Sequence, residues 1–151
     1  MTQIGFYHLM RQPLDQALPK LLEKAAQAGL KVVVRAGSSE RVEHLNAWLW
    51  SYAEDSWLPH GSARDGEAER QPIWLTQTEE NPNNATILVV CDGAAPSDVS
   101  AWSRCLDLFD GNDETAVAAA RERWKAWKAA GHELVYYQQN LNGGWEEKSR
   151  T

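Results

Sequence analysis

Two stretches of this chain are apolar without interruption: Val32-Val33-Val34 within residues 31–35, and Ile87-Leu88-Val89-Val90 within residues 85–91. A strand that alternates apolar and polar residues can leave one face in water, whereas a run with no polar member must be covered on both faces. Helices packed on either side of a parallel sheet meet that demand. The neighbouring segments fit. Residues 4–9 read as a short aromatic strand. Pro13 then opens a helix whose stripe is Leu14, Leu18, Leu21, Leu22 and Ala25, and Gly29 closes it. Pro19 lies inside this pattern and is expected to disturb the first turns, moving the effective start of the helix later. After the strand at 31–35, Ser38 or Ser39 can cap a second helix that carries Val42, Leu45, Leu49 and Trp50 toward the core. This succession has the spacing of a βαβ crossover.

Farther along, residues 61–70 read as an exposed loop, and strands are expected at 72–76 and 85–91 around the turn-forming Asn81-Pro82-Asn83-Asn84. A short helix is expected at 97–102 and a strand at 105–109. Asp113 can cap an alanine-rich helix ending near Gly131, followed by a strand at 134–137 and a polar tail from Asn142 to Trp145. With 151 residues and no repeat or linker, the chain is expected to form one domain over 1–151. The fold class is α/β, a single doubly wound, mostly parallel sheet with helices on both faces.

Such a sheet invites a nucleotide, so the strand-to-helix turns matter. Met10-Arg11-Gln12-Pro13 has no glycine, Ala36-Gly37-Ser38-Ser39 has one and no lysine, and Asp92-Gly93-Ala94-Ala95-Pro96 lacks the required spacing. None provides the glycine pattern by which backbone amides cradle phosphates. His8, His44, His60 and His132 are dispersed, without metal-ligand spacing. His60, between Pro59 and Gly61, is expected to hydrogen-bond locally, and His132 to meet the negative end of the last helix. Cys91 and Cys105 lie in apolar stretches, as buried reduced thiols do. Asp92-Gly93 and Asp110-Gly111 end strands where α/β enzymes place chemistry, but paired turns explain them equally well. No catalytic constellation, metal or cofactor is expected. The first residues show no signal peptide and no apolar run is long enough to span a bilayer, so no membrane is expected and the cytoplasm is.

The positive signal is elsewhere. The net charge is -6, yet residues 121–128 hold Arg121, Arg123, Lys125 and Lys128 together with Trp124 and Trp127. At about 100° per residue, Arg121, Lys125 and Lys128 align along one side of a helix, with Val117 and Trp124 on its shoulder. Fixed positive charge beside an apolar foothold suits an acidic peptide with a hydrophobic end, or a single nucleic-acid strand stacked on Trp124 and Trp127. The acidic balance of the whole chain weighs against the second option. Eight tryptophans against two phenylalanines also favour recognition surfaces.

Several motifs occur in order: Phe6-Tyr7-His8-Leu9, Val32 to Ala36, Leu45-Asn46 with Leu49-Trp50 and Tyr52, Trp57-Leu58-Pro59-His60-Gly61, Gln71-Pro72-Ile73 with Leu75-Thr76, Phe109-Asp110-Gly111, and Ala120 to His132. In this series the chain resembles the chi subunit family of the bacterial DNA polymerase III holoenzyme over nearly its whole length. The resemblance implies a noncatalytic accessory subunit of the clamp-loader assembly, with an α/β fold like that of nucleotide-binding proteins but without their site. It implies two protein partners, the acidic C-terminal tail of single-stranded-DNA-binding protein and the psi subunit, which joins chi to the clamp loader. DNA contact would then be mainly indirect. By position, Arg121 matches the arginine that receives the tail, where a guanidinium can grip a carboxylate with two bonds. Val117 stands where some members carry a second basic residue, which leaves Lys125 or Lys128 to supply charge. Trp124 either walls the site or packs into the core. Arg123 is read as a structural, paired arginine. Trp57, with Leu58 beside it, matches the aromatic position that meets psi, either exposed at a corner or folded over the second helix.

Overall fold

A computed structural model describes residues 2–10, 13–53, 58–140 and 144–151. Its strands are β1 (Gln3–Leu9), β2 (Val32–Arg35), β3 (Gly61–Ser62), β4 (Ile73–Thr76), β5 (Ile87–Val90), β6 (Arg104–Asp110), β7 (Glu133–Gln139) and β8 (Trp145–Arg150). Three α-helices connect them: α1 (Leu14–Gln27), α2 (Ser39–Ser51) and α3 (Glu114–Ala129). The eight strands form one sheet in the order β3-β4-β2-β5-β6-β1-β7-β8. Every pairing is parallel except β7 with β8.

The apolar runs behave as their composition demands. Val32, Val33 and Val34 are buried, as is all of β5. Alternate side chains point into two cores. Val32, Val34, Ile87 and Val89 meet Leu18 and Leu22 of α1 and Leu45 and Leu49 of α2. Val33, Leu88 and Val90 share the opposite core with Phe6, Phe109, Ala120 and Trp127. Helices therefore cover both faces, α1 and α2 on one and α3 on the other. Each fully buried leucine contributes about 1.5–3 kcal/mol.

Local signals set the helix ends. Ser38 caps α2 by accepting from the Arg41 amide, and Asp113 caps α3 by accepting from Thr115 and Ala116. At the far end of α3, Gly131 has φ +90, and the amides of Gly131 and His132 bond back to Lys128 and Trp127. The His132 ring does not serve the helix carbonyls, as the sequence had suggested. Its Nδ1 accepts the Thr2 amide at 3.2 Å and so anchors the start of β1.

Five expectations are corrected. Pro19 does not delay α1, which begins at Leu14. A proline at position 19 has no N–H for the Asp15 carbonyl, and the Trp48 indole N–H donates to that carbonyl instead. Residues 97–102 form a turn, held by the Thr2 hydroxyl near the Val99 and Trp102 carbonyls at 2.8 Å each. Trp50 lies outside the core, 50% exposed, with its ring against His60 at a centroid distance of 4.1 Å. Within 61–70, Gly61 and Ser62 join the sheet as β3, and part of the polar tail becomes β8. Both are edge strands of a suitable kind, one only two residues long and the other carrying Glu146, Glu147, Lys148 and Arg150.

Candidate binding site on the third helix

The helix α3 divides cleanly. Ala120 and Trp127 are buried, Val117, Arg123 and Trp124 are half-buried, and Arg121, Lys125 and Lys128 are exposed. The predicted ridge is therefore real, with Val117 and Trp124 along its inner margin. Trp127 is only 8% exposed and packs 5.6 Å from Phe6, so it offers no stacking face to a nucleic-acid base. Trp124 packs partly into the core. One side meets Phe6 at 5.3 Å and Tyr136 at 6.2 Å, and the rest remains accessible.

Arg123 turns inward, as a structural arginine. Its Nε and Nη2 donate to the two carboxylate oxygens of Asp107 at 2.6 and 2.9 Å. Asp107 is completely buried on β6, and burial pushes its carboxyl above the usual range while the Arg123 guanidinium opposes that shift. This pair bolts α3 to the sheet. Its trace in the sequence is a lone acid within the apolar strand Cys105 to Phe109, which in a buried strand requires a cation from a facing element.

Arg121, one position outside, has no ion pair among the described residues. Lys125 is occupied with Glu122 at 3.4 Å, an exposed contact that contributes little. Two residues that sequence reasoning did not select, His8 and Tyr136, feel the charge of Arg121. Because β1 lies between β6 and β7, His8 stands in register with Phe109 on one side and close to Tyr136 on the other. The His8 Nδ1 and the Tyr136 hydroxyl are hydrogen-bonded. Burial lowers the affinity of the His8 ring for a proton, and the charge on Arg121 lowers it further, while the Gly111 carbonyl and Asp110 act the other way. Gly111 is glycine for a steric reason. A Cβ there would lie 2.0 Å from His8 Nε2 and 2.7 Å from the Leu9 carbonyl oxygen. The motif Phe109-Asp110-Gly111 thus includes the two residues against which His8 rests.

At the carboxyl ends of β1, β5 and β6 lies a cavity of about 840 Å³, where the chain switches from building one side of the sheet to the other. Amides near two of the helix starts there are already taken, whereas α1, with Pro13 at its N-cap, has no side-chain cap. Asp92 Oδ2 accepts the Gly37 amide at 3.2 Å and pairs with Arg41, and Asp113 accepts the first amides of α3. At those two starts a carboxylate of the chain itself stands where an anion would. Cys91 and Cys105 are fully buried, and burial raises both thiols above their ordinary range, the opposite of an activated nucleophile. Among the described residues no cluster of side chains is arranged to hold a metal, and no helix is long and apolar enough to cross a membrane.

A family model described as DNA polymerase III chi subunit, HolC, matches residues 1–135. The chain belongs to the chi subunit family. Among chi relatives, the probable DNA polymerase III subunit chi of Rickettsia prowazekii (strain Madrid E) is 34% identical over 100 residues, covering 66% of this chain and 59% of that protein. The chi subunit of Pseudomonas aeruginosa is 28% identical over 139 residues, covering 89% of this chain and 94% of its own length. The chi subunit of Escherichia coli (strain K12) is 20% identical over 122 residues, covering 80% and 82%. The chain thus spans 59% of the Rickettsia chi protein and most of the other two.

The second chi surface expected from the sequence is less complete. Trp57 lies outside the described residues. Leu58 is 3% exposed and packs into the core with Leu45 and Leu49, so it cannot present its side chain to a partner. A leucine directly before Pro59 and the buried His60 serves as an internal anchor for this corner. His60 faces the Leu58 carbonyl at 2.6 Å and the Asn46 carbonyl at 3.0 Å, one local and one from α2.

Proposed function

We propose that this chain is a noncatalytic accessory subunit of DNA polymerase III that couples the enzyme to template coated with single-stranded-DNA-binding protein. The ridge of α3 receives the acidic C-terminal tail of that protein. Arg121 grips a carboxylate, Lys128 and Lys125 add positive potential, and Val117 with Trp124 receives an apolar end group. Trp57 meets psi and through it the clamp loader. The observation that carries this reading is an exposed arginine, unpaired among the described residues, beside a half-buried tryptophan on an acidic protein. Net charge -6 disfavours extended contact with phosphates, so DNA is reached through the partner.

Fluorescence titration of a labelled acidic tail peptide tests the proposal. Arg121→Ala is expected to weaken binding by about 1.5–3 kcal/mol, the range for hydrogen bonds to charged groups. Affinity should also fall as salt rises. Equal affinity in the wild type and Arg121→Ala would remove the tail-binding role. For the second surface, co-purification of psi with the wild type but not with Trp57→Ala is expected, and retention by both would displace psi from that corner.

A further inference from the structure

We propose that His60 is held as an imidazolium that clasps α2 to the corner at residues 58–62, so that the seating of Trp50 depends on one proton. This rests on neither of the two partner readings and is independent of their outcome.

His60 is buried, 2% exposed. Its Nδ1 lies 2.6 Å from the Leu58 carbonyl oxygen, and its Nε2 lies 3.0 Å from the Asn46 carbonyl oxygen. A carbonyl oxygen only accepts, and a neutral imidazole has a single N–H. Either neutral tautomer therefore turns a bare nitrogen toward one of the two oxygens, in a site closed to water. Asn46 is part of α2, and Leu58 is anchored in the core beside Leu45 and Leu49. Both carbonyls are thus set by elements larger than the contact itself. Only the doubly protonated ring donates to both.

A buried positive charge needs compensation. Two charge-assisted hydrogen bonds provide part of it. The Trp50 ring lies over the imidazole at a centroid distance of 4.1 Å, with 33° between the planes, within the range of a cation–π contact. Two carboxylates are tied into the same corner among the described residues, Asp65 from the turn after β3 and Glu43 from α2. Asp65 accepts from the Ser62 amide at 3.0 Å and from Asn46 Nδ2 at 2.8 Å, and Glu43 accepts from the Ser62 hydroxyl at 2.9 Å. The Ser62 amide, foremost among its donors, holds the Asp65 carboxyl below its ordinary range, which keeps it charged. Asn46 thus reaches the site twice, by its carbonyl at the ring and by its side-chain amide at Asp65.

Loss of the proton to solvent leaves one carbonyl without a donor and removes the charge that Trp50 covers. No bond between heavy atoms changes. The clasp is closed at low pH and opens as pH rises through the loss of that proton. Trp50 is 50% exposed, so the surface it presents beside this corner is the part of the molecule that the proton controls.

The test uses the whole protein with nitrogen-15-labelled histidine and a long-range proton–nitrogen correlation spectrum, in which His60→Gln identifies the His60 signals. At pH 7.5 an ordinary histidine, titrating near 6.5, is mostly neutral and shows one bare ring nitrogen. His60 is expected to show two protonated ring nitrogens there. Tryptophan emission is then followed from pH 6 upward until the His60 signals report loss of the proton. An imidazolium in contact with an indole quenches it, so emission should rise together with that loss, and Trp50→Phe should abolish the rise. A bare His60 nitrogen at pH 7.5 overturns the inference. Emission that ignores the His60 proton, or follows it equally in the wild type and Trp50→Phe, overturns it as well. If His60→Gln does not fold, assignment of the wild-type ring through its own backbone gives the same readout.

Discussion

Arg123 of α3 and Asp107 of β6 meet through two parallel hydrogen bonds of 2.6 and 2.9 Å, with the carboxylate wholly out of water. Glu122 and Arg121 beside Arg123 are exposed, so this pair helps to fix which side of α3 the solvent sees. Burying an ion pair gains little net stability over apolar residues, but leaving one partner alone is costly. Asp107→Asn or Arg123→Ala should lower the free energy of unfolding by about 3–5 kcal/mol in urea denaturation. The double replacement Asp107→Leu with Arg123→Met should recover most of that loss. If each single variant loses less than about 1 kcal/mol, the pair does not hold the helix.

Gly111 and His8 are a second such relationship. Gly111→Ala places a Cβ against a histidine ring and a backbone carbonyl oxygen that cannot retreat. A loss of about 1–3 kcal/mol is expected, the range for overpacking. Gly66→Ala makes a useful contrast, because nothing lies within 4 Å of its Cβ position and only its φ of +74 is unfavourable. It should cost about 1–2 kcal/mol without disturbing the His8 resonances in NMR spectra, whereas Gly111→Ala should shift them.

His8 also sets a pH dependence in the free protein. Its folded-state pKa lies below the ordinary value of 6.5, so the unfolded chain binds more protons in the window between the two. The stabilisation is present above 6.5 and is lost as pH falls through the folded value. Asp65, held below its ordinary value of 3.8 first by the Ser62 amide, adds a separate loss at lower pH, again because the unfolded state binds more protons there. Thermal melts should therefore show a decline beginning near neutrality that His8→Gln removes and a second, acidic one that it leaves.

Trp48 and Pro19 are coupled through a carbonyl that neither of them owns. Trp48→Phe removes the indole donor to the Asp15 carbonyl and should cost about 1–3 kcal/mol. With Pro19→Ala in place, a backbone N–H can take that carbonyl, and the same Trp48→Phe change should cost less. Additive effects in the double-mutant cycle would argue against the coupling.

Features with local causes were legible in the sequence. Ser38, Asp113, Gly29 and Gly131 act on amides or carbonyls within a few residues, and the ridge of Arg121, Lys125 and Lys128 follows from helical period alone. The buried runs around Val33 and Leu88 announced a sheet covered on both sides. Features with distant causes were not legible. Gly61 and Ser62 are a strand only because β4 lies alongside, and the polar segment Trp145–Arg150 is one only because β7 does. Residues 97–102 form a turn where a helix was expected, with Thr2, far off in the chain, bonded to it.

The amino-acid order by itself thus determined the α/β class, the caps at Ser38, Asp113, Gly29 and Gly131, and the charged side of α3, because periodicity and capping depend on neighbours in the chain. Tertiary structure decided the strand order, the inward turn of Arg123 and the meeting of His8 with Tyr136. Those depend on which strands become adjacent in the sheet, and hydrogen bonds between residues more than a hundred positions apart leave no periodic trace in the sequence.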